Sequence, residues 1–329
     1  MKSKILITGL GTGGAERFLE KILPLNDVEV ISITNLDSIG KLLEKKGVKV
    51  TYLNKGKVNI FKTCFKLFKE LKKTDHLMTF LIHADLLGRF IGRVAGVRKI
   101  TCNIRNDYSK ISKLWILDKM TRFLVSDYIV NSPSLSSYMK KIRVKKYKVI
   151  PNGVDIKALE KERINKLNYE GKIITCVARL EKQKDHKTLI EAMKYLKGYT
   201  LLLIGEGKEK ENLEKLAEGL NVKFLGNRKD VASILKQSDV FVLPSLTEGM
   251  SNALLEAMAL SLPCVVSNIE QNKVVIKNNI NGLTFKVGDE KDLAEKIKLV
   301  KKDHGKKAKE TIIKDYDIKN IRKVYEGLL

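Results

Sequence analysis

The chain is short of the residues that build disulfide frameworks, metal sites and membrane spans. Its 329 residues include four cysteines, none in a C-x-x-C pair, and four histidines without the spacing of metal ligands. These counts exclude a disulfide scaffold and predict small apolar cysteines in a reducing compartment, with no bound metal. No run of about 18 apolar residues occurs, which excludes a membrane-spanning helix. The first residues do not resemble a signal peptide, so we expect a cytoplasmic protein.

Aromatic and acidic residues are scarce as well. Aromatic residues make up 6% of the chain, and 38 Asp and Glu stand against 63 Lys and Arg, a formal net charge of +25. Residues 1–155 carry 30 of the basic residues and only 13 of the acidic ones. A basic half predicts an anionic partner, and the few aromatics disfavour a single-stranded nucleic acid. We therefore expect a membrane surface or a phosphorylated substrate as the partner, and no nucleic acid.

Short apolar strands alternate with amphipathic helices twice along the chain, on either side of a charged connector near residues 155–170. This alternation predicts an α/β protein with two doubly wound, Rossmann-like domains built on parallel sheets. Ligands of such sheets bind beyond the carboxyl ends of the strands, so we expect the domains to face each other across a cleft that holds the active site. The predicted domains are residues 1–160 and 161–304, followed by a helical tail, 305–329, that packs back on the first domain.

The first loop contains a glycine pattern that is typical of dinucleotide-binding proteins. Within the stretch ILITGLGTGGAE, Gly9, Gly11 and Gly14 fit G-x-G-x-x-G after an apolar run. An NAD-dependent oxidoreductase would also place an acidic residue at the end of the second strand, and the stretch ISITN has none there. The pattern alone leaves open which phosphate-bearing ligand these glycines approach.

The second half contains a more specific segment, VFVLPSLTEGMSNALLEAMALSLPCVVS, in which a polar loop separates a strand from a helix. It holds Glu248 and Glu256, which a continuous helix would place about 12 Å apart, suited to the two ends of an extended ligand. The backbone amides of the residues between them can point at an anion near a helix N-terminus. These residues are Gly249, Met250, Ser251 and Asn252.

A basic loop follows the first strand of the same half. In VARLEKQKDHKTLIEAM, Arg179 and Lys184 lie between a predicted strand and a predicted helix. Two cations there would neutralise a diphosphate and the charge that develops as it leaves. A solvated basic surface loop would look the same by itself, but the neighbouring glutamate segment favours the anion site.

Several segments resemble the family-4 retaining glycosyltransferases of the GT-B fold. They are EGMSNALLEAMA, ARLEKQKD, LLIGEGKEKENLE and VIPNGVD, and GTGGAERFL resembles the first loop of that family. The resemblance implies transfer of a sugar from a nucleotide diphosphate donor, with a UDP-sugar favoured, and with retained anomeric configuration. It implies a lipid-linked or surface saccharide as acceptor in polysaccharide biosynthesis, and neither a metal nor another cofactor.

The resemblance also implies roles for individual residues. Glu248 would contact hydroxyls of the donor sugar, and Glu256 would hold the ribose. Arg179 and Lys184 would bind the diphosphate and support its departure, and His83 would lie near the reacting carbon. The remaining donor-binding set comprises Gly13, Gly14, Gly205, Asn227, Gly249, Met250, Ser251 and Asn252.

Two features of the first half stay less defined. Arg105 and Asn106 end a predicted strand and should reach the cleft, touching either donor or acceptor. The stretch 57–73, KVNIFKTCFKLFKELKK, predicts a basic amphipathic helix. We expect its apolar face to pack on the sheet and its lysine face to be available to anionic lipid headgroups, so that peripheral membrane contact stays open. That apolar face comprises Phe61, Cys64, Phe65, Phe68 and Leu71.

One departure from the family pattern leaves the donor sugar undefined. Where many members carry a Gly-x-Pro-Glu-like element, this chain reads SNIEQNKVVI. A UDP-sugar 2-epimerase of the same fold remains an alternative, as does, with less support, the oxidoreductase. An epimerase would convert its nucleotide sugar without an acceptor, which separates it from a transferase.

Overall fold

The computed structural model describes residues 2–11, 13–25, 27–35, 38–110 and 113–329. They form two compact units, of which unit 1 comprises Met1–Gly153 with Ile318–Leu329 and unit 2 comprises Val154–Asp317. The sequence places the domain boundaries at residues 160 and 304 instead. In the structure the predicted tail divides, because its first part belongs to unit 2 and only its last part returns to unit 1.

Unit 1 is built on a parallel sheet whose central strands are almost entirely buried. Parallel strands covered by helices on both faces are buried along their length, as SKILI and KITCNI are here. The strands are β1 (Ser3–Ile7), β2 (Glu29–Ser32), β3 (Val50–Tyr52), β4 (His76–Phe80), β5 (Lys99–Ile104), β6 (Asp127–Val130) and β7 (Lys148–Val149). Their spatial order is β3-β2-β1-β4-β5-β6-β7, so the winding reverses between β1 and β4.

The helices of unit 1 include one contributed by the end of the chain. Tyr325 of that last helix is fully buried, packs edge-on against Phe18 at 5.3 Å between ring centroids and accepts a hydrogen bond from Nδ2 of Asn103. The described helices are α1 (Gly14–Ile22), α2 (Ser38–Lys45), α3 (Ile60–Leu71), α4 (Ile82–Val94), α5 (Trp115–Thr121) and α6 (Ser136–Lys141), with 3-10 turns at Tyr108–Lys110, Arg122–Leu124 and Pro133–Leu135. The returning helix spans Ile318–Glu326.

Unit 2 repeats the same architecture. Its elements are α7 (Ile156–Lys161), β8 (Lys172–Val177), α8 (His186–Ala192), β9 (Tyr199–Ile204), α9 (Lys210–Leu216), β10 (Val222–Phe224), α10 (Val231–Lys236), β11 (Val240–Leu243), α11 (Asn252–Ala259), β12 (Cys264–Ser267), α12 (Glu270–Lys273), β13 (Leu283–Phe285), α13 (Glu290–Leu299) and α14 (Lys302–Asp315), with 3-10 turns at Lys182–Lys184 and Met193–Tyr195. All strand pairs are parallel, in the order β10-β9-β8-β11-β12-β13. The predicted α/β class with two doubly wound sheets is confirmed. The helix of unit 1 at Ile318–Glu326 is α15.

Helix α3 buries a different face from the one that its sequence predicts. Thr63, Leu67 and Leu71 face the interior, whereas Phe61 and Phe65 are 84% and 61% exposed. The hydroxyl of Thr63 accounts for this rotation, because it exchanges hydrogen bonds with the buried side chain of Asn54. The prediction that the apolar face packs inward was therefore wrong for Phe61 and Phe65 and right for Leu71, and α3 presents these two phenylalanines outward together with its lysines. No helix in the described part of the chain is long and apolar enough to cross a bilayer.

Candidate functional site

The winding of unit 2 reverses between β8 and β11, which are adjacent in its sheet. Ligands of doubly wound sheets bind beyond the carboxyl ends of strands at such a reversal. The loop after β8 carries Arg179 and Lys184, and the loop after β11 carries Glu248. Three of the residues predicted from the sequence therefore lie in neighbouring loops at the carboxyl-end edge of the sheet, where a ligand is expected.

Lys184 and Glu248 bind each other across these two loops. Nζ of Lys184 lies 2.6 Å from Oε1 of Glu248, and the two side chains are 15% and 7% exposed. The same Oε1 accepts a hydrogen bond of 2.6 Å from the hydroxyl of Ser245. The backbone N–H of Leu246 donates to the carbonyl of Gln183, which fastens the loops together. Because either charge would be costly to bury alone, the pair holds both side chains in place.

Arg179 is held less firmly. It is 68% exposed on its side chain, and its Nη1 lies 2.8 Å from Oε1 of Glu181. The other oxygen of Glu181 accepts a hydrogen bond from the amide of Gln183. Exposed ion pairs contribute little free energy, so the guanidinium can exchange Glu181 for a phosphate at small cost.

The segment 249–252 leads into α11 as predicted. Ser251 caps this helix, because its hydroxyl accepts a hydrogen bond from the backbone N–H of Leu254. Gly249, Met250 and Asn252 are half-buried around it, and so is Glu256 in the second turn of the helix. The backbone amides of the first helical turn carry partial positive charge next to the paired Lys184 and Glu248 loops.

Two further predicted donor-binding residues lie at the ends of β9 and β10. Gly205 has a φ of +141°, and a Cβ there would collide with the carbonyl oxygen of Ala178. Only glycine fits this close approach of two backbone segments. Asn227 is exposed in the loop after β10, and its role stays a prediction.

A layer of buried polar side chains supports the site, and sequence reasoning missed it. The hydroxyl of Ser267 donates to the carbonyl of Ser245 at 2.5 Å, and Nδ2 of Asn272 donates to both oxygens of Ser267. All three residues are buried. A connected network of this kind fixes the loop that presents Glu248. The available signal was a serine at the end of each of two apolar strands, because Ser267 ends β12 and Ser245 follows β11 after one proline.

His186 is a second residue that the sequence did not single out. It opens α8 directly behind Lys184, is 2% exposed, and neither ring nitrogen has a hydrogen-bond partner among the described residues. Burial, and after it the positive charge of Lys184, lowers the pKa of His186 to about 4. The imidazole is therefore neutral at physiological pH and adds no charge to the site.

In unit 1 the predicted residues lie at the reversal between β1 and β4. Gly13 precedes α1, and a Cβ there would collide with the carboxylate of Glu16, whereas a Cβ on Gly14 would meet open space. Burial raises the pKa of Glu16, an effect that its own backbone hydrogen bond and the charge of Arg105 oppose. His83 is exposed in the first turn of α4, just beyond β4.

Arg105 and Asn106 differ sharply in environment. Arg105 is only 5% exposed, and its guanidinium lies 3.9 Å from the ring centroid of Phe18 and donates hydrogen bonds to Asn103 and Asn152. These contacts are internal to unit 1, and the expected contact of Arg105 with donor or acceptor stays a prediction. Asn106 is exposed, and its contact with donor or acceptor stays a prediction. Within the described ranges, no three His, Cys, Asp or Glu side chains gather around a possible metal position.

Comparison with known proteins places this geometry in one family. Residues 158–316 match the family model described as glycosyl transferases group 1. The chain is 32% identical to a UDP-Gal:alpha-D-GlcNAc-diphosphoundecaprenol alpha-1,3-galactosyltransferase of Escherichia coli, over 69% of this chain and 67% of that protein. It is 26% identical to an alpha-1,4-N-acetyl-D-galactosaminyltransferase of Campylobacter jejuni, named for a diNAcBac-PP-undecaprenol-linked acceptor, over 100% of this chain and 98% of that protein.

A solved structure supports the fold. The crystal structure of HepE from Anabaena in complex with UDP superposes with a TM-score of 0.87 at 20% identity, covering 100% of this chain and 99% of that one. At this identity the likeness establishes the GT-B fold and leaves the ligands to be argued from the residues. The predicted GT-B architecture is confirmed.

Proposed function

The chain belongs to the group 1 glycosyltransferases, and we propose that it transfers a sugar from a UDP-sugar to a lipid-linked saccharide with retention of anomeric configuration. The observation that carries the donor half of this proposal is the Lys184–Glu248 pair beside Arg179 and the N-terminus of α11. The acceptor half rests on the named acceptors of the two relatives and on the basic surface of unit 1. The epimerase and oxidoreductase alternatives are not favoured by this family membership.

The donor diphosphate would lie between the cations and the helix. Arg179 can release Glu181, and Lys184 retains two N–H donors beyond the one that Glu248 accepts. Together with the amides before α11 they would hold the phosphate oxygens. Glu256, in the second turn, would accept hydrogen bonds from the ribose. Because these cations stabilise the diphosphate, we propose that transfer needs no metal ion and proceeds in the presence of EDTA.

The reacting centre would lie beside Glu248. This carboxylate accepts hydrogen bonds at Oε1 from both Lys184 and Ser245, which lowers its nucleophilicity and suits it to accepting from sugar hydroxyls. We therefore favour front-face attack over a covalent intermediate on Glu248. The bond from the anomeric carbon to the diphosphate oxygen breaks as the acceptor oxygen bonds from the same face. The acceptor proton passes to the leaving phosphate oxygen, and the positive groups stabilise the resulting UDP.

Unit 1 would bring the enzyme to its acceptor at a membrane. Helix α3 exposes Phe61 and Phe65 beside Lys62 and Lys69, the combination that inserts aromatic rings at the headgroup level while cations meet anionic lipids. We propose peripheral contact of this helix with the surface of an anionic bilayer.

The test begins with a thermal-shift panel of nucleotide sugars, since a ligand that binds the folded state raises Tm. The best UDP-sugar is then incubated with polyprenyl-diphosphate-linked mono- and disaccharides, and the linkage of the product is read by NMR. We expect transfer with an unchanged anomeric configuration. A UDP-sugar converted to its 2-epimer without any acceptor would instead identify an epimerase, and inverted product would contradict front-face attack.

A further inference from the structure

An apolar groove of about 500 Å³ opens on unit 1 beside His83. Its volume falls within the range of roughly 300–1,000 Å³ that small-molecule sites occupy. Seven of its ten lining residues are apolar, and it lies beyond the carboxyl ends of β1, β2 and β4, at the reversal of the sheet. The side chains that line it are Thr8, Ile33, Thr34, Val58, Ile60, His83, Leu86, Leu87, Phe90 and Leu114.

We propose that this groove binds the first part of the hydrocarbon chain of a polyprenyl-diphosphate-linked acceptor. The inference rests on the proposed function for the class of acceptor and adds where its lipid lies. It also makes Phe90 and Ile60 determinants of acceptor specificity, a role that the motifs of the family do not assign.

The first argument is the position and length of the groove within unit 1. It lies beyond the carboxyl ends of β1, β2 and β4, where ligands of doubly wound sheets bind. His83 lines it, and Leu86, Leu87 and Phe90 follow on the same helix, so the groove runs from His83 for about 10 Å along α4. An apolar wall of this length suits an extended hydrocarbon chain.

The second argument is that several apolar side chains of the groove are exposed to solvent. Val58, Ile60 and Phe90 are 49%, 55% and 50% exposed, and all three line the same groove. Exposed apolar groups that cluster in this way mark ligand or lipid sites more often than isolated ones do.

The third argument is charge. Lys57 precedes Val58 and Lys113 precedes Leu114, and both lysines are exposed. Two exposed cations next in the chain to lining residues complement an amphiphile with an anionic head and a hydrocarbon tail. A neutral apolar partner would gain nothing from them.

The groove wall is also rigid, which favours a preformed site. Nη1 of Arg89 on α4 lies 2.8 Å from Oδ1 of Asp118 on α5, the helix that directly follows Leu114, and both side chains are fully buried. Tyr138 donates to the second oxygen of Asp118. Breaking such a buried pair is costly, so α4 and α5 keep their relative position.

The experiment measures kcat/KM in detergent for two acceptors with the same saccharide diphosphate, one on a C55 polyprenyl chain and one on a methyl group, which is too short to fill a groove of about 10 Å. The triple variant Val58→Ser, Ile60→Gln, Phe90→Gln changes exposed side chains and is compared with Phe123→Gln, at an exposed phenylalanine outside the groove. We expect the triple variant to lose at least tenfold for the C55 acceptor and less than twofold for the methyl acceptor, with unchanged thermal shift by UDP. Phe123→Gln should change neither rate.

Three outcomes would overturn the groove assignment. The first is a wild-type enzyme that uses both acceptors equally well. The second is a triple variant whose kcat/KM falls equally for both acceptors. Either result would show that the groove does not bind the hydrocarbon chain of the acceptor. A dimer in sedimentation velocity that the triple variant abolishes would make the groove a contact between copies of the chain. If the wild-type enzyme binds UDP-sugars yet uses neither acceptor, the proposed acceptor class itself fails, which the rates of the wild type alone reveal.

Discussion

Nζ of Lys184 and Oε1 of Glu248 lie 2.6 Å apart and join the two loops that follow the central strands of unit 2. The two residues are 64 positions apart in the chain, and the reversal of winding between β8 and β11 brings them together. Their pairing means that the group proposed to hold the diphosphate also orients the group proposed to hold the sugar. A change at either one should therefore affect both functions.

The hydroxyl of Ser245 should act as a positioning group for Glu248. We expect Ser245→Ala to lower kcat about tenfold, because one of two hydrogen bonds to Oε1 is lost, while the KM for the donor changes less than threefold. Lys184→Ala should cost on the order of 100-fold in kcat/KM. Steady-state kinetics provide the measurement.

Ser238→Ala offers the matched control for Ser245, since it removes a hydroxyl beside the opposite end of β11. Its hydroxyl contacts Thr175 and the carbonyl of Ile234. Ser245→Thr, which keeps the hydroxyl, should restore most of the rate. An equal loss of kcat in Ser238→Ala and Ser245→Ala would mean that a general loss of stability, and not the positioning of Glu248, lowers the rate.

Replacing Arg179 and replacing Glu256 should affect different steady-state parameters. Arg179→Ala is expected to lower kcat on the order of 100-fold, since its charge matters most when the diphosphate leaves. Glu256→Ala is expected to raise the KM for the donor on the order of tenfold with little change in kcat, because ribose contacts are the same in ground and transition state. Both parameters come from donor titrations at saturating acceptor.

Arg228→Ala is the control for Arg179, because Arg228 forms a comparable surface pair, 2.8 Å from Asp230. It should leave kcat unchanged. If Arg179→Ala changes neither kinetic parameter, the diphosphate does not lie at the loop after β8.

The sequence predicts the fold and the outline of the site because both depend on local pattern. Apolar runs and loop motifs identify parallel strands and the residues at their ends. They therefore predict that Lys184 and Glu248 lie in loops at the carboxyl ends of strands. Ser267 and Asn272 support the loop of Glu248 only because the fold makes their segments neighbours. The periodicity of the sequence does not predict which loops become neighbours. The burial of Arg105 depends on the aromatic ring of Phe18 lying under it, and the rotation of α3 depends on a hydrogen bond between Thr63 and Asn54.

His186 should make unit 2 less stable in mild acid. Its pKa is about 4 in the folded chain, against 6.5 as the ordinary value, so the unfolded chain binds more protons between these pH values. The stabilising contribution is full above pH 6.5 and is lost as pH falls toward 4, by about 2 kcal/mol at pH 5. Calorimetric Tm values between pH 7.5 and 4.5 should therefore fall less steeply in His186→Leu than in wild type. Parallel slopes would contradict the burial of a neutral ring.

The lysines of α3 should govern binding to anionic vesicles. Lys62 and Lys69 are exposed on this helix and Lys72 is exposed at its C-cap, and each contributes about 1 kcal/mol near an anionic surface. Replacing all three by Gln should weaken co-sedimentation with phosphatidylcholine vesicles containing phosphatidylglycerol on the order of 100-fold at low salt. Pure phosphatidylcholine vesicles should bind neither protein well.

An equal change of charge in unit 2 controls for net charge. Lys291, Lys298 and Lys307 are exposed there, and their replacement by Gln should leave vesicle binding nearly unchanged. The same loss in both triple variants would mean that the overall charge of +25, and not α3, attracts the membrane.

Gly205 should tolerate no side chain. A methyl group there would collide with the carbonyl of Ala178, at a φ of +141° that other residues rarely adopt. Gly288 also has a positive φ, +74°, but a Cβ on it would meet open space. We expect Gly288→Ala to cost about 1 kcal/mol through the backbone alone and Gly205→Ala to cost clearly more. Gly205→Ala should also reduce the rise in Tm that UDP produces, because the loops after β8 and β9 must separate to admit the methyl group. Equal Tm values for the two variants would show that the close approach of Gly205 to the carbonyl of Ala178 does not exclude a side chain at position 205.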